Sequence, residues 1–77
     1  MTIEEKRNLL KFLIRSQILL AKKFPSLFEN ATFSASEHVK NLYEDFLMIP
    51  ELTDQEVREE MILTIGEFEY AYERAKR

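Results

Sequence analysis

Residues 49–57, Ile-Pro-Glu-Leu-Thr-Asp-Gln-Glu-Val, decide the fold because they end one helix and begin the next. Pro50 lacks a backbone N–H and disfavours helical geometry in the residue before it. Thr53 and Glu56 match a capping box, in which each side chain accepts a hydrogen bond from the other residue's backbone N–H. Leu52 and Val57 flank the box at the spacing of a hydrophobic staple. The stretch predicts a helix end, a short turn and a new helix.

The same capping pattern occurs twice more, at Thr2 to Glu5 and at Ser34 to Glu37. Pro25 ends the first helix near Phe24, and the segment it opens could form an extra short helical turn after helix one. We therefore predict helices at about 3–23, 35–48 and 54–75. No strand has a partner to pair with, and the short connections favour antiparallel neighbours. The expected fold is all-α, a three-helix up-down-up bundle in a single helical domain over residues 1–77.

The composition is typical of a folded protein that does not rely on disulfides. The chain has 77 residues, 45% of them hydrophobic, 32% charged and none cysteine. Lys11 and Arg15 interrupt the apolar stretch from Leu9 to Ala21, so it does not read as a membrane span. Glu4 and Glu5 do not fit a secretory leader. We expect a reducing, cytoplasmic location.

Charge is distributed unevenly along the chain. Residues 1–28 carry six basic and two acidic residues, whereas residues 29–77 carry five basic and twelve acidic ones, giving net charges of +4 and −7. Attraction between oppositely charged packed helices explains this arrangement without a partner.

Each predicted helix has a main apolar stripe at three- and four-residue steps, which we expect to form the core. The stripe of helix one comprises Leu9, Leu10, Leu13, Ile14, Leu20, Ala21 and Phe24. That of helix two comprises Ala35, Val39, Leu42, Tyr43, Phe46 and Leu47, and that of helix three Val57, Met61, Ile65, Phe68, Ala71, Tyr72 and Ala75.

Apolar residues outside these stripes form surplus patches. In helix one the patch consists of Phe12 and Leu19, with Ile18 apart from both, and in helix three Leu63 and Tyr70 flank Gly66. The apolar loop over residues 24–33 could fold back and cover such patches, or a partner could cover them. Gln17, inside the apolar arc of helix one, is either a buried polar residue that specifies register or one tolerated at the edge.

The residues needed for catalysis or for a metal site are missing from the sequence. His38 is the single histidine, and without partner ligands we expect it to be a solvated first-turn residue of helix two. The pairs Glu59/Glu60 and Glu67/Glu69 read as a solvated acidic face, because a thin bundle offers no obvious pocket to raise a carboxyl pKa. We predict no enzyme activity, no cofactor and no metal.

A row of basic residues on helix one could follow a nucleic-acid backbone: Arg7, Lys11, Arg15 and Lys22. The acidic pI of about 5.2 and the lack of an exposed polar recognition helix argue against this hypothesis.

The sequence favours a non-enzymatic protein–protein interaction module, such as a small regulator, inhibitor or accessory subunit that acts by occupying a surface. Its partner is another protein or a second copy of the chain, with no membrane involved. The predicted interface residues are Phe12, Leu19, Leu63, Gly66 and Tyr70. The alternatives are a nucleic-acid-binding protein using the basic row, and a structural homodimer within a larger assembly.

Overall fold

The computed structural model describes residues 1–77 and contains helices but no strand. Helix α1 spans Ile3–Lys23, α2 spans Ala35–Met48 and α3 spans Asp54–Ala75. The expected extra turn is present as a 3-10 helix at Pro25–Leu27, and a second one, which we did not expect, holds Pro50 at Ile49–Glu51. The predicted helix bounds are confirmed. None of the three helices combines the length and the apolar character needed to cross a membrane.

Two of the three predicted capping boxes are complete. The Thr53 hydroxyl accepts from the Glu56 N–H at 3.2 Å, and the Glu56 carboxylate accepts from the Thr53 N–H at 3.0 Å. The box of Thr2 and Glu5 is closed in the same way. The prediction was wrong in part for α2: Ser34 accepts from the Glu37 N–H, but Glu37 does not bond back.

Helix α1 lies at the centre of the bundle and packs along both α2 and α3, whereas the backbones of α2 and α3 stay apart. Lys6 pairs with Asp54, and Ala21 clusters with Ala71, so α1 and α3 run parallel. The turn at Ile49–Glu51 brings the end of α2 back to α1, so these two helices are antiparallel. The up-down-up bundle is therefore confirmed, in a splayed form with one shared central helix.

The core is small for the amount of apolar surface in the chain. Only 13 of the 77 residues are buried. The main cluster joins all three helices and the second 3-10 turn through Leu10, Ile14, Ile18, Leu42, Ile49 and Val57. The accessible surface is 5474 Å², about 500 Å² more than the ~4,900 Å² expected for a monomer of this mass.

The structure corrects several predicted core positions. On α3 the buried line is Val57, Thr64 and Ala71, at seven-residue steps, while the predicted core residues Ile65, Tyr72 and Ala75 are exposed. The reason is that α3 packs against α1 and the 3-10 turn that follows α1 but not along α2, which buries a narrow stripe. Residues expected in the core but exposed elsewhere are Phe24, Tyr43 and Leu47, whereas Ile18, expected to lie apart, is buried.

Candidate functional site

An open depression lies between α3 and the first turn of α2, with the loop that joins α1 to α2 along one side. We call it the α2–α3 cleft; its lining residues are Phe28, Phe33, His38, Ile62, Leu63, Gly66, Glu67 and Tyr70. The loop between α1 and α2 supplies the two phenylalanines. A turn at Asn30, whose side chain accepts from the Thr32 N–H and whose backbone pairs with Phe33, shapes this loop.

Three of the five predicted interface residues meet in this cleft. Leu63 and Tyr70 are 59% and 54% exposed. Gly66 lies between them, and a methyl group added at its Cα would have no neighbouring atom within 4 Å. The floor beside Gly66 is therefore open space, and another chain could approach the α3 backbone closely there.

His38 is not the solvated residue that we predicted. Its exposure is 9%, its ring stacks on Phe28 with centroids 5.2 Å apart, and the edge of Phe33 lies 5.7 Å away. The prediction was wrong because the apolar loop folds over the first turn of α2. A signal was available, since His38 lies on the same helical face as Ala35 and Leu42.

Burial leaves His38 without a hydrogen-bond partner. Its Nε2 atom is 3.3 Å from Oε2 of Glu67 but not in hydrogen-bonding geometry, and nothing else bonds to it. Burial lowers the pKa of His38 below its ordinary value, against an opposing effect of Asp45. The imidazole is therefore neutral near pH 7, so this contact is not an ion pair there.

Asp45 on α2 and Glu60 and Glu67 on α3 are close enough to repel one another, and we call these three residues the carboxylate cluster. Of the three, only Glu67 lines the α2–α3 cleft. Burial raises the pKa of each one, and repulsion from Asp45 raises those of Glu60 and Glu67 further. No Lys or Arg forms an ion pair with any of the three.

The prediction that Glu59, Glu60, Glu67 and Glu69 form a solvated acidic face is therefore correct for only two of these residues. Glu59 and Glu69 are exposed, whereas Glu60 and Glu67 are partly buried. No group of three or more His, Asp or Glu side chains is arranged to hold a metal ion.

The other two predicted interface residues lie away from the cleft. Leu19, 62% exposed, lines a shallow groove between α1 and α2 with Arg15, Ile18, Tyr43, Phe46 and Leu47. Phe12, 65% exposed, lies further along α1 and lines no depression. The five residues therefore do not form one continuous surface.

The basic row of α1 is largely engaged within the protein. The Arg7 guanidinium donates to the Leu52 carbonyl at 2.8 Å and pairs with Glu4. Lys22 donates to the Tyr43 hydroxyl at 2.8 Å, and Arg15 lies over the Phe46 ring. Lys11 alone makes no such contact. These side chains fasten α1 to its neighbours, and Lys6 with Asp54 is the one ion pair joining the basic and acidic parts of the chain.

The loop between α1 and α2 covers only some of the apolar residues that lie outside the main stripes of the helices. Phe28 is buried against Ala21 and Ala71 and closes one end of the cleft. Phe24 and Leu27 instead line an apolar groove between α1 and α3, together with Leu20, Phe68, Ala71, Tyr72 and Ala75. Leu63, Tyr70, Leu19 and Phe12 stay exposed.

No family model, curated protein or solved structure matches this chain.

Proposed function

We propose that this chain is a non-enzymatic protein-interaction module, a small regulator, inhibitor or accessory subunit, and that the α2–α3 cleft is its main binding surface. The observation that carries the proposal is the set of exposed apolar residues lining the cleft around Gly66. Large apolar side chains gathered in one depression of a small domain favour a contact with another macromolecule. The absence of cysteine fits a reducing compartment such as the cytoplasm.

The energetic argument concerns what remains uncovered after folding. Ile62, Leu63 and Tyr70 are each more than half exposed, yet they lie next to one another along α3. Covering them would remove on the order of 200–300 Å² of apolar surface from water, which contributes roughly 5–8 kcal/mol before the cost of association. Covering these side chains therefore favours association with a partner.

The test is photo-crosslinking in the cells from which the protein comes. Leu63→p-benzoylphenylalanine places the photoreactive group in the cleft, and Lys40→p-benzoylphenylalanine, at an exposed polar position of α2, is the control. We expect a discrete adduct from position 63 only, identified by mass spectrometry and suppressed when Gly66→Leu is added. Adducts at position 63 that match the control, or that survive Gly66→Leu, would contradict the proposal.

A self-complementary contact would produce the same adduct with a second copy of the chain. Light scattering across a concentration series separates the two cases, because a dimer that Gly66→Leu dissociates would make the chain a structural homodimer instead. A monomer throughout leaves the cleft to a foreign partner, as we propose.

A further inference from the structure

The negative charges in and beside the α2–α3 cleft have no counterpart within the protein. Glu67 lines the cleft, and Asp45 and Glu60 lie two turns along α2 and α3 from its lining residues His38 and Glu67. Asp45, Glu60 and Glu67 form no ion pair with Lys or Arg, while the nearest basic helix, α1, directs Arg7, Arg15 and Lys22 to other contacts. Asp45 is exposed, whereas Glu60 and Glu67 are partly buried. Like charges without a cation are unfavourable, and an incoming cation relieves this repulsion. The cleft is therefore electrostatically complementary to a positive group.

A second feature points into the same cleft. His38 is nine-tenths buried, its Nε2 atom has no hydrogen-bond partner, and it lies among the lining residues beside Glu67. A buried polar atom without a partner costs free energy, which a ligand group can recover by bonding to it. Carboxylates and a neutral imidazole together favour an N–H donor, which lysine and arginine provide.

The shape of the cleft fits a helix. On α3 the lining residues run from Ile62 to Tyr70, a little over two turns, and His38 lines the cleft from α2. At 1.5 Å per residue the α3 wall is about 12 Å long, which matches two turns of a docked helix. Gly66 allows a close approach, and a helix seated between two splayed helices completes a four-helix arrangement.

We infer that the α2–α3 cleft binds an amphipathic helix of a partner protein whose apolar face is bordered by Lys or Arg, with the cation held among Asp45, Glu60 and Glu67. This inference rests on the proposed function and specifies the chemistry of its partner. The apolar residues of the helix cover Ile62, Leu63 and Tyr70, in the manner of other helix-in-groove complexes.

The test uses three fluorescent peptides of about 18 residues that share one leucine-rich amphipathic helix. The peptides differ only at two positions that border the apolar face: both positions are lysine in the first peptide, glutamine in the second and glutamate in the third. Fluorescence anisotropy with the full chain should show the lysine peptide binding about tenfold more tightly than the glutamine peptide at low salt, and the glutamate peptide binding most weakly. The difference should shrink at about 0.5 M salt, because screening weakens exposed charge pairs.

Matched protein variants test whether the carboxylate cluster causes the preference for the lysine peptide. Asp45→Asn combined with Glu60→Gln should reduce the preference for lysine to about twofold or less. Glu51→Gln combined with Glu69→Gln removes the same total charge from exposed positions and should preserve the preference. Gly66→Leu should weaken all three peptides by at least about tenfold, because it fills the floor of the cleft.

Equal binding of the three peptides would overturn the assignment of a cationic partner. A preference for lysine that the control pair of substitutions also removes would overturn it too. Either result would leave the cleft as a docking surface. Binding that is insensitive to Gly66→Leu, or no binding of the lysine peptide, would overturn the helix-in-cleft assignment. The crosslinking experiment tests the proposed function separately from this inference, because its outcome does not depend on the charge of the partner.

Discussion

Gln17 is the residue whose environment conflicts most with its chemistry. It is fully buried in α1, and neither its amide nitrogen nor its amide oxygen has a hydrogen-bond partner in the protein. The register of Lys6 against Asp54 and of Ala21 near Ala71 places it level with the middle of α3. The structure thus decides the question that the sequence left open: the side chain is in the core, not at its edge.

We expect Gln17→Met to stabilise the protein by about 1–2 kcal/mol, because a buried amide without partners is replaced by an apolar side chain of similar length. Chemical denaturation measures the change in the free energy of unfolding. Gln55→Met is the control, since Gln55 is exposed on α3 and bonds to Glu59. A loss of stability in Gln17→Met would show that the amide makes a bond that this structure lacks.

Gly66 combines a conformational cost with open space. We expect Gly66→Ala to raise the free energy of unfolding by about 0.5–1 kcal/mol, because alanine is favoured in a helix interior and its methyl group would meet nothing within 4 Å. Thermal unfolding should show a rise in Tm of roughly 2–8 °C. A fall in Tm would contradict the open position of residue 66 and would also make Gly66→Leu unsuitable as a cleft-filling variant.

Among the elements, the helix starts differ in how completely they are capped. Glu56 and Glu37 occupy the same position in the first turns of α3 and α2, but only Glu56 accepts a hydrogen bond from the backbone N–H of its cap residue. Both carboxylates interact equally with the positive end of a helix dipole. A comparison of Glu56 with Glu37 therefore measures how much the hydrogen bond from the cap residue's N–H to the glutamate carboxylate contributes to stability.

We expect Glu56→Ala to lower Tm by a few degrees and Glu37→Ala to lower it less, because only the first variant removes a capping bond. The hydrogen bonds from Thr53 lower the pKa of Glu56. A lowered carboxyl pKa stabilises the fold above the unfolded-state pKa, near 4.5, and this contribution is lost as the pH falls through the folded-state pKa. Thermal unfolding at pH 7 and pH 3 should show a larger difference between the two variants at pH 7 than at pH 3; equal effects of the two substitutions at pH 7 would contradict this prediction.

At the scale of the whole molecule, α1 packs along both other helices, and like charges on α2 and α3 oppose a closer approach of these two helices. Asp45 on α2 faces Glu60 and Glu67 on α3, and no cation lies between them. Repulsion opposes closure of the cleft, while burial of His38 against the loop holds one end of α2 in place.

The carboxylate cluster makes stability depend on pH. The groups that face Glu67 are His38 and Asp45 from α2 and Glu60 on its own helix. Burial first, and then its acidic neighbours, raise the pKa of Glu67. The contribution of Glu67 to stability is therefore fully present below the pKa of this residue in the unfolded state. It is lost as the pH rises through the pKa of Glu67 in the folded state, so the charged carboxylate destabilises the protein at pH 7.

We expect Glu67→Gln to raise Tm by roughly 1–3 °C at pH 7 and to have a smaller effect at pH 4, where more of the wild-type carboxyl is protonated. Glu69→Gln, at an exposed position two residues away, controls for the change in net charge. Calorimetry at the two pH values measures the difference. A larger gain at pH 4 than at pH 7 would contradict a raised pKa at Glu67.

The sequence by itself determined where the helices begin and end. Thr2, Thr53, Pro25 and Pro50 act on backbone groups within a few residues of themselves, so their effects are local and can be predicted without knowing the fold. Helical periodicity also placed Leu63, Gly66 and Tyr70 together on one face of α3, away from its main stripe.

Only the tertiary structure decided which faces are covered. His38 became buried because the loop between α1 and α2 folds over it. Thr64 replaced Ile65 in the core because α3 packs along α1 and not along α2, and Glu67 lines a cleft because α2 stands apart from α3. Helical periodicity identifies the residues that share a face but not the helix or loop that covers it. Burial and pKa depend on that neighbour, which is why the candidate site emerged only from the packed bundle.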